Sequence, residues 1–314
     1  MAGKGSGKPS TSLARRSFLT AGHGASDPWS QFCMQVRRLC AGAFSLLEPV
    51  AGYGRARLLA QKQTDIHHAL SLCQRHGVVL ALEVPGSSAT AQHSPVLWVS
   101  YGQELSGCQA LHGDDGAWFV QPGCRLGLLS QKGFRQFDGA PPDFTLADYL
   151  LGTESALWRP GQTAASGLIY ASALLADGTR AGLGPFGERN TKPLEGVRLQ
   201  RLISALFQVQ SGPLGQSCLQ STEWPARYRL DALTPASGFG INLAHLLLAQ
   251  CGELAWVEWM VLQPQQAPAA ADQSGRDSGR QANLSSECQQ QAAQLNRAVK
   301  QLFDPDSLFP ALLS

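Results

Sequence analysis

One stretch constrains the fold of this chain more than any other: TDIHHALSLCQRHGVVLALEVPGSSATAQHSPVLWVS, residues 64 to 100. Its apolar residues Ile66, Ala69, Leu70 and Cys73 fall at the i, i+3, i+4, i+7 spacing of an amphipathic helix, with Thr64 as the expected N-cap and Gly77 as the stop. The run VVLALEV (78–84) is short, apolar and closed by Pro85-Gly86, which predicts a buried strand feeding a tight turn. A Rossmann unit would place GxGxxG and a helix at that point. Here a turn of small residues leads into another strand candidate, PVLWVS, so that architecture is excluded.

The rest of the body repeats the alternation loosely. GAWFVQPG predicts a strand, and a short helix follows around Arg125 to Gln131. GLIYASALLADGTRAGLG predicts two strands joined at Asp177-Gly178, a strong hairpin signal. VRLQRLISALF places Leu199, Leu202, Ile203 and Leu206 on one helical face. This order describes an α+β fold with strands in more than one sheet.

With 314 residues, 44% hydrophobic and 15% charged, the chain can bury a large core. A net charge of +2 from 25 basic and 23 acidic residues gives no footprint for nucleic acid. The eight cysteines form no CxxC pair and no zinc or iron–sulfur spacing, so reduced cytoplasmic thiols are expected. Arg15 and Arg16 could open an export signal, but His23 and Asp27 interrupt the apolar segment that should follow. The longest apolar region, INLAHLLLAQCGELAWVEWMVL, carries too many polar residues for a membrane span. A soluble protein is expected, with a disordered N-terminal tail over 1–27 and a flexible Gln/Ala/Ser/Gly-rich linker over 263–286.

Candidate chemistry is sparse. The small residues of the turn at 85–90 could converge their amides on an anion, the alternative being a plain surface turn. Asp143 and Asp148 lie five residues apart in a proline-rich loop without fixed geometry for acid–base work. His245 has apolar neighbours at 241, 244, 248 and 249, which favour a packing helix over a general base. His67 and His68 face different directions on their helix. No residue is assigned a catalytic role, and no metal site is expected.

Taken in order, these segments resemble the FAD-binding domain of the vanillyl-alcohol oxidase and para-cresol methylhydroxylase (PCMH) type, and most nearly the FAD-binding subunit of glycolate oxidase. HALSLCQRHGVVLALEVPGSSAT stands where that family has a helix, a strand and a GxGTS turn. FVQPGCRLGLLSQKGFRQFDGAPPDFTLAD then follows the family's path to a TLGG segment. PFGERNTKPLEGVRLQRLISALF puts Lys192 in the place of a family lysine, and LNRAVKQLFDPDSLFP resembles its closing helix and FDP tail.

The resemblance implies two α+β subdomains over 28–212, a small reduced cap over 213–262, and a C-terminal helix and tail over 287–314 that packs back on the body. It implies noncovalent FAD bound through Pro85, Gly86, Ser87, Ser88, Ala89 and Thr90, through Pro142, Thr145, Leu146, Ala147 and Asp148, and near Lys192. Cys124 and His112 are the conceivable covalent attachment points. The implied reaction is oxidation of a small 2-hydroxy acid, with electrons passed to a flavin- or iron–sulfur-bearing partner subunit. TLGG reads TLAD here, however, so side chains stand where bare backbone would approach the cofactor. The alternative is a degenerate member without flavin, a structural or interaction subunit.

Overall fold

A computed structural model describes residues 27–85, 93–113, 116–152, 158–187, 193–266 and 285–310. All of the expected tail but Asp27, which caps α1, most of the expected linker, and the site residues Gly86, Ser87, Ser88, Ala89, Thr90 and Lys192 lie outside these residues.

The expected α+β architecture with two sheets is what the chain forms. The first sheet has the order β1-β2-β4-β3, built from β1 (Ala43–Val50), β2 (Tyr53–Ala60), β3 (Val79–Leu82) and β4 (Val96–Tyr101). β1 and β2 are an antiparallel hairpin, while β2 and β3 both run parallel to β4. Two strand candidates flanking the small-residue turn, β3 and β4, are therefore direct neighbours, and the residues joining them leave from the C-terminal end of β3. Helices α1 (Pro28–Leu39) and α2 (Gln63–His76) pack on each other and against this sheet.

α2 buries Ile66, Ala69, Leu70 and Cys73 as their spacing requires, and Gly77 closes it in the left-handed conformation at φ 63°. Its start is corrected. The N-cap is Lys62, not Thr64, because the buried carboxylate of Asp65 reaches back to accept the amides of Gln61 (2.9 Å) and Lys62 (3.2 Å). The same carboxylate accepts the amide of Ala41 at 2.7 Å, tying the helix start to the chain between α1 and β1.

The second sheet is antiparallel, in the order β5-β6-β9-β7-β8, from β5 (Cys108–Ala110), β6 (Trp118–Val120), β7 (Leu168–Leu174), β8 (Arg180–Leu183) and β9 (Trp256–Leu262). The β7–β8 hairpin turns at Asp177-Gly178, with Gly178 at φ 83°. Between β6 and β7 lie the short helices α3 (Leu126–Gln131) and α4 (Leu146–Leu150). After β8 come α5 (Val197–Ser211), α6 (Pro213–Leu219) and, following β9, α7 (Ser286–Phe303). Residues 213–262, expected as a cap, thus include β9, the central strand of the second sheet.

The two sheets share one continuous apolar core. Polar bonds stitch them together: Gln63 of α2 donates to the Glu258 carbonyl at 2.7 Å, Gln74 donates to the Ala176 carbonyl, and the Tyr101 hydroxyl donates to the Val257 carbonyl at 2.8 Å. At the C-terminus the buried Lys300 ammonium holds the tail, donating to Asp304 (2.6 Å) and to the carbonyls of Glu253 (2.6 Å) and Phe309 (3.0 Å). The Leu308 carbonyl then accepts the Leu80 amide at 2.9 Å, covering part of the outer edge of β3.

Candidate functional site

Pro85, the one described residue of the first segment implied by the resemblance, stands three residues past β3 and near the end of α4. Pro85 is exposed there, and its carbonyl lies 3.6 Å from where a Cβ on Gly152, just past α4, would stand. The loop leading to α4 runs back along α3: Leu126 donates its amide to Phe144, Gly127 to Pro142, and Arg125 bridges to Thr145. The stiff Pro141-Pro142 pair therefore packs this loop on α3 and aims Thr145 into position as the N-cap of α4.

Every amide of Thr145–Asp148 is already used by the protein. Thr145 donates to the Asp148 carboxylate at 2.8 Å, and Asp148 returns its amide to the Thr145 hydroxyl at 3.1 Å, a reciprocal capping box. Leu146 donates to the Cys124 carbonyl at 2.7 Å and Ala147 to the Pro122 carbonyl at 2.9 Å. The side chains of Leu146 and Ala147 are fully buried. TLAD thus makes a self-sufficient helix start, and its one charged group is an anion.

The space behind α4 is also filled. Ala249 and Cys251 donate their amides to the carbonyls of Leu150 (2.9 Å) and Leu151 (2.7 Å), and a Cβ on Gly252 would stand 2.3 Å from that of Leu82. Ala249 and Cys251 hold positive φ angles of 58° and 48°, an uncommon conformation for residues other than glycine. Gln250, fully buried, fixes this turn by accepting from Leu254 and donating to Ala255, both at 2.8 Å. Residues 249–252 are therefore a plug between the end of β3 and the end of α4. Thr145, Leu146, Ala147 and Asp148 do not fit a pyrophosphate: no amide is free for it, and a carboxylate stands among them.

His245 is a satisfied core histidine. Its Nδ1 lies 2.9 Å from the Thr163 hydroxyl and its Nε2 2.9 Å from the Leu168 carbonyl, and burial pushes its pKa down to about 4. It sits in a short 3-10 turn, Leu243–Leu247, not the regular helix its neighbours suggested. Among the described residues, no group of three His, Cys, Asp or Glu side chains could hold a metal, and no helix is long and apolar enough to cross a membrane.

Sequence reading missed a polar cluster on the second sheet. The buried Glu258 carboxylate of β9 accepts from Ser172 (2.9 Å) and from Arg180 (2.7 Å and 3.1 Å), and lies 3.0 Å from His67 Nε2 on α2. Burial works to raise the Glu258 pKa, but the bonds from Arg180 and Ser172 outweigh it and hold it below its ordinary value. Glu258 stands among apolar neighbours in WVEWMVL, and that one charged residue in a buried strand was the available signal. Beside the cluster is a cavity of about 250 Å³ lined by Tyr170, Ser172, Arg180, Pro185, Leu243 and Trp259. It lies below the roughly 300–1,000 Å³ usual for drug-sized ligands, so it is far too small for a dinucleotide.

No family model matches the chain, and no curated protein matches it. Solved structures similar to it include BBE-like 1 of Physcomitrella patens, with 11% identity and a TM-score of 0.44 over 75% of this chain and 44% of that one. A chitooligosaccharide oxidase gives 14% identity and a TM-score of 0.42 over 77% of this chain and 44% of that one. A glucooligosaccharide oxidase from Acremonium strictum, whose structure reveals a flavinylation, gives 16% and 0.39 over 75% of this chain and 43% of that one. The chain spans less than half the length of each, and at these values the likeness assigns it neither a family nor a reaction.

Proposed function

We propose that this chain is a non-enzymatic structural or interaction subunit built on a flavin-domain type of scaffold. The observation that carries this reading is the amide inventory of Thr145–Asp148, in which four backbone donors are consumed by protein acceptors and Asp148 adds a negative charge. The plug at 249–252 supports it, because protein atoms already fill the ground between Leu82 and the end of α4. Purified full-length protein should carry no flavin after acid release, and added FAD should leave its melting temperature unchanged. Stoichiometric flavin would overturn the reading.

One observation favours a second reading, in which FAD is retained. Pro85, three residues past β3, stands beside the end of α4, at the start of the segment to which the resemblance assigns the pyrophosphate. On that reading the loop Pro85–Thr90 would carry most of the contact, with Lys192 nearby. The substrate would be a small 2-hydroxy acid, and electrons would leave through a flavin- or iron–sulfur-bearing partner. Flavin content that survives gel filtration, with dye reduction on adding glycolate or D-lactate to the native complex, would establish this second reading.

A further inference from the structure

Among the described residues, the longest open sheet edge belongs to β1. The outer strands are β1, β3, β5 and β8, of eight, four, three and four residues, and the C-terminal tail already lies on β3. Of the nine large apolar side chains exposed among the described residues, six lie on α1, β1 and β2: Met34, Leu39, Leu46, Val50, Tyr53 and Leu59. Natural proteins guard an open edge with charge, proline or a bulge. β1 has all three, in Glu48, Pro49 and the register shift beyond Leu47, but only at its far end; the stretch Ala43-Phe44-Ser45-Leu46-Leu47 is left unguarded. Phe44 and Leu46 share one sheet face, opposite Leu58 and Ala56 of β2, which are both fully buried. α1 crosses that face from Trp29, whose ring a Cβ on Gly54 would meet at 2.2 Å, to Arg37, whose guanidinium stands 5.2 Å from the centre of the Phe44 ring. Met34, one turn before Arg37, shares its side of the helix and is 61% exposed, while Leu46 is 54% exposed. An apolar flank that ends in one cation therefore runs beside the strand.

We propose that β1 is a dimerisation edge, pairing antiparallel with β1 of a second copy of this chain about a two-fold axis at Leu46, so that two four-stranded sheets become one continuous sheet. Charge selects a second copy as the occupant. In this register Leu46 meets Leu46, and Glu48 falls beside Phe44 of the other copy, over which that copy's Arg37 stands. The two-fold repeats the ion pair on the other side of the axis, so one surface supplies both signs of charge and the apolar centre between them. Moving the axis by one residue, to Leu47, would set Glu48 beside Leu46 and leave Arg37 without its anion. None of these residues belongs to the segments assigned to flavin, so the pairing does not depend on flavin content.

The test is sedimentation equilibrium of the purified full-length chain across about 1–100 μM, with hydrogen exchange measured on the same samples. The expected result is a concentration-dependent dimer in which the backbone amides of 43–47 exchange more slowly as the dimer fills. Leu46→Lys should weaken dimerisation about tenfold or more, because two ammonium groups would meet at the axis. Its melting temperature as a monomer should match that of the wild type, since the side chain is exposed. Arg37→Glu and Glu48→Arg should each weaken the dimer, and the double variant should restore it. A monomer throughout the range, a dimer that Leu46→Lys leaves intact, or a double variant no better than the single ones would overturn the proposal. So would a monomer whose β1 amides are slow to exchange, which would assign the edge to another segment of the same chain. The comparison of wild type with Leu46→Lys decides the matter even if a charge variant fails to fold.

Discussion

His245 shows how much a single buried ring can contribute to pH dependence. In the unfolded chain it takes a proton near pH 6.5, but in the folded protein burial delays this to about 4. Between those values the unfolded state binds more protons, so folding stability falls as the pH drops through 6.5 and the loss is complete near 4. The shift corresponds to about 3 kcal/mol. Urea titrations of the wild type and of His245→Gln across this range should diverge, with the variant lacking this part of the slope. Parallel curves would mean that the ring is hydrated in the folded state. Asp148 teaches a different lesson at the same scale. Set against a glycine-rich pattern it was legible only as a departure, yet Thr145-x-x-Asp148 is itself the spacing of a capping box, and that local signal went unread.

At the scale of elements, α2 depends on one carboxylate. Asp65 accepts three backbone amides from two separate segments while almost wholly buried. Asp65→Ala would strand those donors and should cost about 3 kcal/mol in chemical denaturation, whereas Asp65→Asn, which keeps one acceptor oxygen, should cost less. Equal stability of Asp65→Ala and wild type would show that water replaces the carboxylate. The body of α2 and of α5 was legible because their apolar residues repeat at helical spacing and that stripe is what they bury. The start of α2 was not, since a capping group inside the first turn looks in sequence like any acidic helix residue. β9 was missed for another reason. Covered on both faces, it shows no alternation, and without that period its residues were grouped with the preceding apolar run. β5, of three residues, is too short to carry a pattern.

For the whole molecule, the decisive fact is that β9 joins β6 to β7 although it comes last of the three in sequence. A chain ending after residue 255 would leave both neighbours with bare edges and remove Trp256, Val257 and Met260 from the core. Such a truncation should be recovered in inclusion bodies, and a soluble product with a sharp thermal transition would show that the first sheet folds independently. The same placement has a meaning in time. A ribosome adding about 5–20 residues per second needs on the order of 10 s to travel from Val120 to Trp256. Through that interval β6 is already made while its partner does not exist, and the nascent chain waits with an open strand. The yield of native protein should therefore follow the speed of elongation and the supply of chaperones that shield emerging strands, more than it follows the stability of the finished fold.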